Sequence, residues 1–447
     1  MKMFLNGQPA DASDGATIEV TNPANGSLIE TIPSATEDDI KAAVQYAKAA
    51  QPTWAKVPVH EKADILMKFL DLVARDHESL AQTLCAETGK PIVEARAEIS
   101  NIPIAFRAFA ERAKHLYGET IPAGMEAGQE HHILITRREP LGVIAAVIPF
   151  NFPCDLFDQK VAPALLAGNA VIVKPSTDNP LTLCRLTALL GEAGVTPGAI
   201  QIVTGRGSKV GNWLCTNPDV DAITLTGSTE VGIETAHHAA DHLAHTALEL
   251  GGNDAFILLP DGDVDLAVDE LMWGRMYNTG QVCCASKRFL IHRSLVDEFT
   301  SKAVARISAL KQGDPADEST QIGCLISEKA AVKAEEQIKL TVEQGGKVIL
   351  GGHRNGAFLE PTVIADVPAT ADVAKDMEIF APVVPIITFD TVDEAVEIAN
   401  GSKFGLCGCV FTRDMKLATS VAERLECGGA VINGASFFRS FEMPFGG

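Results

Sequence analysis

The stretch Asn278-Thr-Gly-Gln-Val-Cys283-Cys-Ala-Ser-Lys-Arg288 sets a cysteine in a glycine-bearing turn between a helical segment and a strand. Such a junction exposes a side chain while flanking elements hold it still, which suits a thiolate nucleophile. Position alone does not decide it. A cysteine is more often a small buried apolar side chain, and the doublet leaves Cys283 and Cys284 equivalent. A second candidate is Glu249, between Leu248 and Leu250 and followed by Gly251 and Gly252. Its apolar flanks imply partial burial, which raises a carboxyl pKa toward the range of a general base; a surface Glu ahead of a turn is the equal alternative. The third is Asn151, in Ile148-Pro149-Phe150-Asn151-Phe-Pro153. A primary amide at a strand end can donate to a developing oxyanion or cap the helix that follows. Taken alone, the cap is the better reading.

Glycines add a nucleotide signal. Gly205-Arg-Gly207-Ser-Lys-Val-Gly211 follows one strand, with one residue more than the dinucleotide fingerprint, and Thr226-Gly227-Ser228-Thr-Glu-Val-Gly232 follows another. Either turn can set backbone N–H groups against a pyrophosphate. Lys174-Pro-Ser176-Thr177 closes a further strand and adds a cation where an open sheet binds ligands.

These residues need a scaffold, and the apolar pattern supplies one. Short β-branched runs at 143–148, 170–174, 200–204 and 222–226 alternate with helical segments such as 181–193 and 230–244. The alternation resumes after Leu250 and includes a helix over 264–277. It predicts two α/β domains with parallel sheets covered on both faces. Ahead of them, Thr36-Glu-Asp-Asp39 reads as a capping box, 61–116 as helical and 131–136 as a strand. The 447 residues carry 37 Lys+Arg against 58 Asp+Glu, a net charge of −21, so neither nucleic acid nor an anionic membrane is an expected partner. No signal-peptide core precedes the first helix, and the longest apolar run, 143–150, is too short to span a bilayer. Ten cysteines without a CxxC pair, and eleven histidines without HExxH, predict no metal site and a cytoplasmic protein.

Seven motifs together carry a resemblance: Phe150-Asn-Phe-Pro153, Lys174-Pro-Ser176, Thr226-Gly-Ser-Thr-Glu-Val-Gly232, Glu249-Leu-Gly-Gly252, Gly280-Gln-Val-Cys283, Glu378-Ile-Phe-Ala-Pro382 and Pro444-Phe-Gly-Gly447. In this order, over nearly the whole chain, they resemble the aldehyde dehydrogenase superfamily. The resemblance implies an α/β, aldehyde dehydrogenase-like fold. It would have a Rossmann-type cofactor domain (1–115 and 139–248), an α/β catalytic domain (249–433) and a small oligomerisation hairpin (116–138, with 434–447). It implies oxidation of an aldehyde to a carboxylic acid with NAD(P)+. Cys283 would be the nucleophile, Asn151 and the Cys283 N–H the oxyanion hole and Glu249 the general base, with Lys160 close by. Ile148, Pro149, Phe150, Lys174, Ser176, Thr177, Gly207, Gly211, Thr226, Gly227, Ser228, Gly251, Glu378 and Phe380 would hold the cofactor. Phe157, Cys284, Phe437 and Arg439 would line the substrate tunnel. The presence of Glu249 favours hydrolysis over transfer to coenzyme A.

Some positions depart from the family pattern. Phe150 stands where Trp is usual, keeping an aromatic wall. Thr177 stands where NAD-preferring members often carry Glu, so NADP should be tolerated or preferred. Gln159 and Tyr277 replace an arginine pair found in several succinate semialdehyde dehydrogenases. Arg439 is then the candidate anion anchor, although lactaldehyde or glycolaldehyde fits a short polar tunnel equally well. Relatives continue beyond the position of Gly447 to a last strand that pairs with the hairpin across subunits, so the expected homodimer or homotetramer depends on it. A non-phosphorylating glyceraldehyde-3-phosphate dehydrogenase and a non-catalytic truncated homologue are the competing expectations.

Overall fold

The computed structural model describes residues 1–447. The β-branched runs form the parallel strands Val143–Val147, Ala170–Lys174, Ile200–Ile202 and Ala222–Thr226, buried almost throughout. Burial on both faces is why they read as continuous apolar runs rather than as alternation. A fifth parallel strand, His245–Glu249, joins the edge beside Ala222–Thr226. Its first three residues are exposed, so it lacks the apolar signature. The helix expected over 230–244 in fact ends at Ala240. Beyond Ile200–Ile202, the N-terminal strands Met3–Leu5 and Gln8–Ala10 complete the seven-stranded sheet in antiparallel fashion.

From Val143–Val147 the chain first builds outward through Ala170–Lys174 and Ile200–Ile202. It then crosses back to lay Ala222–Thr226 on the other side. The strand order therefore switches between Val143–Val147 and Ala222–Thr226, the place where open α/β sheets bind ligands at their carboxyl ends. Ile148 to Asn151, Lys174 to Thr177, Gly205 to Gly207, Gly227, Ser228 and Glu249 all follow or end these strands, so one edge collects them.

The second sheet runs Lys347–Leu350, Thr362–Ala365, Val383–Phe389, Ser286–His292, Asp254–Leu258, Cys407–Phe411, Gly429–Ile432, parallel except at its first pair. Phe256 packs here against Phe411 and Phe289 with ring centroids 4.4 and 5.0 Å apart. The Thr36–Asp39 capping box is present and opens Glu37–Ala55. The helical stretch after it divides into Val59–Thr88 and Ile92–Ala113. Of the strand expected over 131–136 only Leu134–Ile135 forms, paired with Thr120–Ile121. The helix expected to reach Tyr277 stops at Leu271 and passes through a π turn, Met272–Met276. Residues 434–447 form no strand. They fold back over the body of the protein, with Phe441 edge-on to Phe109 and Gly447 against the Gly405 carbonyl. No helix is long and apolar enough to cross a membrane.

Candidate active site

Cys283 is half-buried in the irregular link between a tight turn and the strand Ser286–His292. The turn is shaped by three successive left-handed residues, Asn278, Thr279 and Gly280 (φ 50, 54 and 73°). A Cβ on Gly280 would stand 2.4 Å from the Ala381 backbone, so only glycine fits there. A hydrogen bond with Cys284 holds the Cys283 thiol below its ordinary range, aided by the positive charges of Lys287 and Arg439. All nine other cysteines are pushed up. For Cys284 the main cause is its bond to Cys283, and for the remaining eight it is burial. Cys283 is also the half-buried member of the doublet, whereas Cys284 is buried and packs with Phe152 and Leu406.

Lys287 joins this turn to its surroundings. Its ammonium donates to the carbonyl oxygens of Cys283 and Gly252 (2.7 Å to the latter) and pairs with Glu378 at 2.9 Å. A Cβ on Gly252 would stand 2.6 Å from the Cys283 oxygen, and one on Gly251 2.6 Å from Glu378 Oε2. The two glycines after Glu249 thus let its loop close on the nucleophile and on Glu378. Burial raises the Glu249 carboxyl, with Lys160 and Arg439 pulling it back down. Lys160 itself is pushed down to about 8 by burial, and its ammonium donates to Thr224 Oγ1 at 3.0 Å.

Asn151 is 5% exposed, and its side-chain amide has no partner within the protein. The next helix, Pro153–Leu166, has Phe152 at its N-cap with no side-chain cap, and Glu98 accepts the Cys154 N–H at 2.8 Å. The capping reading of Asn151 therefore fails, because Glu98 already takes the first-turn amide. The Cys283 N–H likewise has no acceptor in the protein.

Toward the first sheet, Phe150 stands edge-on to Phe380 at 5.9 Å, and the Lys287 cation lies 5.6 Å from the Phe380 ring. A cleft of about 450 Å³ opens between Ser228, Lys333, Glu378, Lys403 and Phe404. Ser228 caps the helix Thr229–Ala240, accepting from Val231, and the buried hydroxyl of Thr226 beside it has no partner. Ile148 is buried, while Pro149 is half-exposed above it. Burial pushes Lys174 down to about 8, and its one protein acceptor is the Pro175 oxygen at 2.7 Å. A Cβ on Gly207 would lie 3.9 Å from the Lys174 ammonium. Thr177 Oγ1 donates to the Gly205 carbonyl at 3.0 Å, and Ser176 accepts from the Asp178 N–H. Thr177 and Arg206 share a second cleft of about 680 Å³. The unpartnered hydroxyl, free ammonium protons and glycine-lined edge suit a nucleotide. The Gly207–Gly211 turn is weaker than its motif suggests: Gly211 is buried, and the helix it opens is only Asn212–Cys215.

The family model for the "Aldehyde dehydrogenase family" matches residues 10–447. The chain belongs to the aldehyde dehydrogenase family. Its class of reaction is therefore the oxidation of an aldehyde with NAD(P)+. The chain is 38% identical to the succinate-semialdehyde dehydrogenase [NADP(+)] of Escherichia coli strain K12, over 99% of this chain and 92% of that one. It is 37% identical to the lactaldehyde dehydrogenase of Methanococcus aeolicus, over 100% and 94% respectively. A crystal structure described as an E. coli NADP dependent enzyme superposes with a TM-score of 0.96 at 37% identity, over 100% of this chain and 92% of that one.

In this aldehyde dehydrogenase, Phe157 is not a tunnel residue. It is 0% exposed and packs with Val161 and Leu165 in the first core, whereas Leu156, one helical step round, touches the cluster under Cys283. Phe437 does stand over that cluster, 5.0 Å from Trp273 and 5.6 Å from Tyr277. Arg439 lies 3.9 Å above the Phe445 ring and forms no ion pair. Sequence reasoning missed Lys287, whose signal was a Lys-Arg pair opening a fully buried strand, and Arg206. Iodoacetamide added in equimolar amount should label Cys283 ahead of the other nine cysteines. Its pH dependence should lie below the roughly 8.5 of a free thiol, as read by peptide mass spectrometry. Labelling of Cys284 or Cys427 in its place would show the assignment to be wrong.

Proposed function

We propose that this aldehyde dehydrogenase oxidises a short aldehyde with a negatively charged far end, succinate semialdehyde or a close analogue, to the carboxylic acid, with NADP+ preferred. The observation that carries the substrate class is Arg439, an unpaired guanidinium whose charge is felt by both Cys283 and Glu249. A carboxylate at the far end of the substrate gives it a charge-assisted partner. The name of the E. coli relative points the same way. A second reading, a short hydroxyaldehyde such as lactaldehyde, draws on the uncharged Gln159 and Tyr277 and on the M. aeolicus relative.

The chemistry follows from the groups in place. The Cys283 thiolate attacks the carbonyl carbon, and the oxygen that gains charge takes hydrogen bonds from the Asn151 amide and the Cys283 N–H. When bound, the nicotinamide dinucleotide would supply the hydride acceptor, and Phe150, Glu378 and Phe380 would hold its nicotinamide end. Loss of hydride leaves a thioester on Cys283. Glu249, whose carboxyl pKa burial raises, takes a proton from water as that water attacks the thioester; Cys283 leaves as thiolate and the acid is released. Lys174 and Ser176 would hold the adenosine ribose and Ser228 the pyrophosphate. Thr177 offers no carboxylate to repel a 2′-phosphate, and Arg206 offers a cation in the same cleft.

The test crosses NADP+ and NAD+ with succinate semialdehyde, lactaldehyde and glyceraldehyde-3-phosphate, following reduced nicotinamide. Turnover should be highest for succinate semialdehyde with NADP+ and absent in Cys283→Ala. Arg439→Leu should raise KM for the carboxylate substrate about tenfold, the value of a charge-assisted bond, and leave KM for lactaldehyde unchanged, any effect through Cys283 falling on kcat for both aldehydes. Thr177→Glu should move the kcat/KM ratio toward NAD+. An equal change in KM for both aldehydes in Arg439→Leu would favour the hydroxyaldehyde reading.

Glu249→Gln separates the two half-reactions. A single turnover of reduced nicotinamide should persist while the steady-state rate falls about 10²-fold or more. An unchanged steady state would remove Glu249 from the mechanism.

A further inference from the structure

The first turns of the helix Ile92–Ala113 and the residues just before it carry buried polar side chains that the chemistry above does not use. Lys90 and Glu98 form an ion pair with side chains 1% and 0% exposed. The Lys90 ammonium also donates to the main-chain oxygen of Asn151 at 3.1 Å and lies 4.3 Å from the centre of the Phe152 ring. The other oxygen of Glu98 accepts the Cys154 N–H at 2.8 Å. Three residues within one short stretch, Asn151, Phe152 and Cys154 with its helix, are therefore gripped by this one pair.

A second arm of the same helix reaches the nucleophile turn. Glu94 Oε2 accepts the N–H of Asn278 at 2.8 Å. The Asn278 side-chain amide donates back to the same Asn151 oxygen at 2.8 Å and to the Gln281 carbonyl at 3.3 Å. Asn278 begins the left-handed run that leads to Cys283. The Asn151 carbonyl thus receives two donors, one fixed from each arm. A buried ion pair does little for net stability, because desolvation offsets its Coulomb attraction. What this one fixes is geometry: the peptide that carries the Asn151 amide and the turn that carries the Cys283 N–H are referred to one helix.

We propose that Lys90, Glu94 and Glu98 are positioning residues that set the Asn151 amide against the Cys283 N–H so that both reach the same oxyanion. The proposal rests on the oxyanion reading of Asn151 given above. It makes a distinctive demand: loss of the anchor should cost rate only through Asn151, and only in steps that form a tetrahedral oxyanion.

The experiment compares Lys90→Met/Glu98→Gln, Asn151→Ala and the combination. It reads single-turnover formation of reduced nicotinamide, hydrolysis of p-nitrophenyl acetate and alkylation of Cys283 by iodoacetamide. Alkylation needs the thiolate and builds no oxyanion. The double variant should lose about tenfold in both oxyanion-forming reactions, as expected for a displaced catalytic group. Its alkylation rate should stay within about threefold, and it should add no further loss once Asn151 is alanine. Because the pair is buried, Glu94→Ala and Glu94→Gln form a parallel series at a half-buried site. The alanine variant should lose rate on the two oxyanion-forming reactions, and the glutamine variant, whose amide oxygen still accepts the Asn278 N–H, should regain most of it. Undiminished loss on the Asn151→Ala background, a parallel fall in alkylation, or full activity in the folded Lys90, Glu98 and Glu94 variants overturns the proposal. If Asn151→Ala itself costs less than about threefold rather than the 10²–10³ of an oxyanion donor, it is the oxyanion reading that fails.

Discussion

The ammonium of Lys287 is the interaction on which the site depends. It is 1% exposed, and a cation so placed must find acceptors for its three protons or be expelled. Its acceptors are the Cys283 carbonyl, the Gly252 carbonyl and the Glu378 carboxylate. These belong to the nucleophile turn, the loop after the candidate base and the wall of the cofactor cleft. One buried charge therefore fixes the mutual placement of three functions contributed by segments far apart in sequence. The same charge favours the ionised form of the Cys283 thiol, so one group both positions that cysteine and lowers its pKa.

That arrangement demands close backbone approach, which explains the glycines better than a nucleotide motif does. Gly251 and Gly252 make room for Glu378 and for the Cys283 oxygen, and Gly280 makes room for the Ala381 backbone at a positive φ. In each case a methyl group would stand 2.4–2.6 Å from its neighbour, inside the contact distance of any atom pair. The spacing Glu249-Leu-Gly-Gly252 is thus a packing requirement as well as a signature. It lets a carboxylate at the end of an edge strand of the first sheet turn directly into the strand Asp254–Leu258 of the second.

Much of this was legible in the sequence, for physical reasons. The buried strands of the first sheet declare themselves as β-branched runs because both faces are covered. The elements that escaped notice lack that signature: His245–Glu249 lies on an exposed edge, and Met3–Leu5 is too short for periodicity to register. Cys283 and Cys284 could not be separated by position, since the charge of Lys287, which acts on Cys283 and not on Cys284, comes from the folded arrangement. Phe157 was misplaced because a helix turns 100° per residue. Its face is that of Val161 and Leu165, and the neighbouring Leu156 looks toward the thiol. Asn151 looked like a cap for a sound reason, and the structure overrules it because Glu98, more than fifty residues earlier, already takes the first-turn amide.

The electrostatics of the whole chain sharpen the functional reading. A protein of net charge −21 repels anions at a distance, yet it buries Lys160, Lys174 and Lys287. Only Lys287 is neutralised by an ion pair. Lys160 and Lys174 are pushed down to about 8 by burial, and each has a single acceptor in the protein. Holding such groups charged and under-bonded costs stability that folding alone does not recover. An anionic ligand recovers it: each ammonium gains an acceptor, and its charged form becomes the favoured one. The acidic surface and the under-bonded buried cations are therefore complementary features. The surface discourages indiscriminate binding of anions, and the buried ammoniums favour a phosphate or carboxylate delivered to them out of bulk water, where the field is less screened.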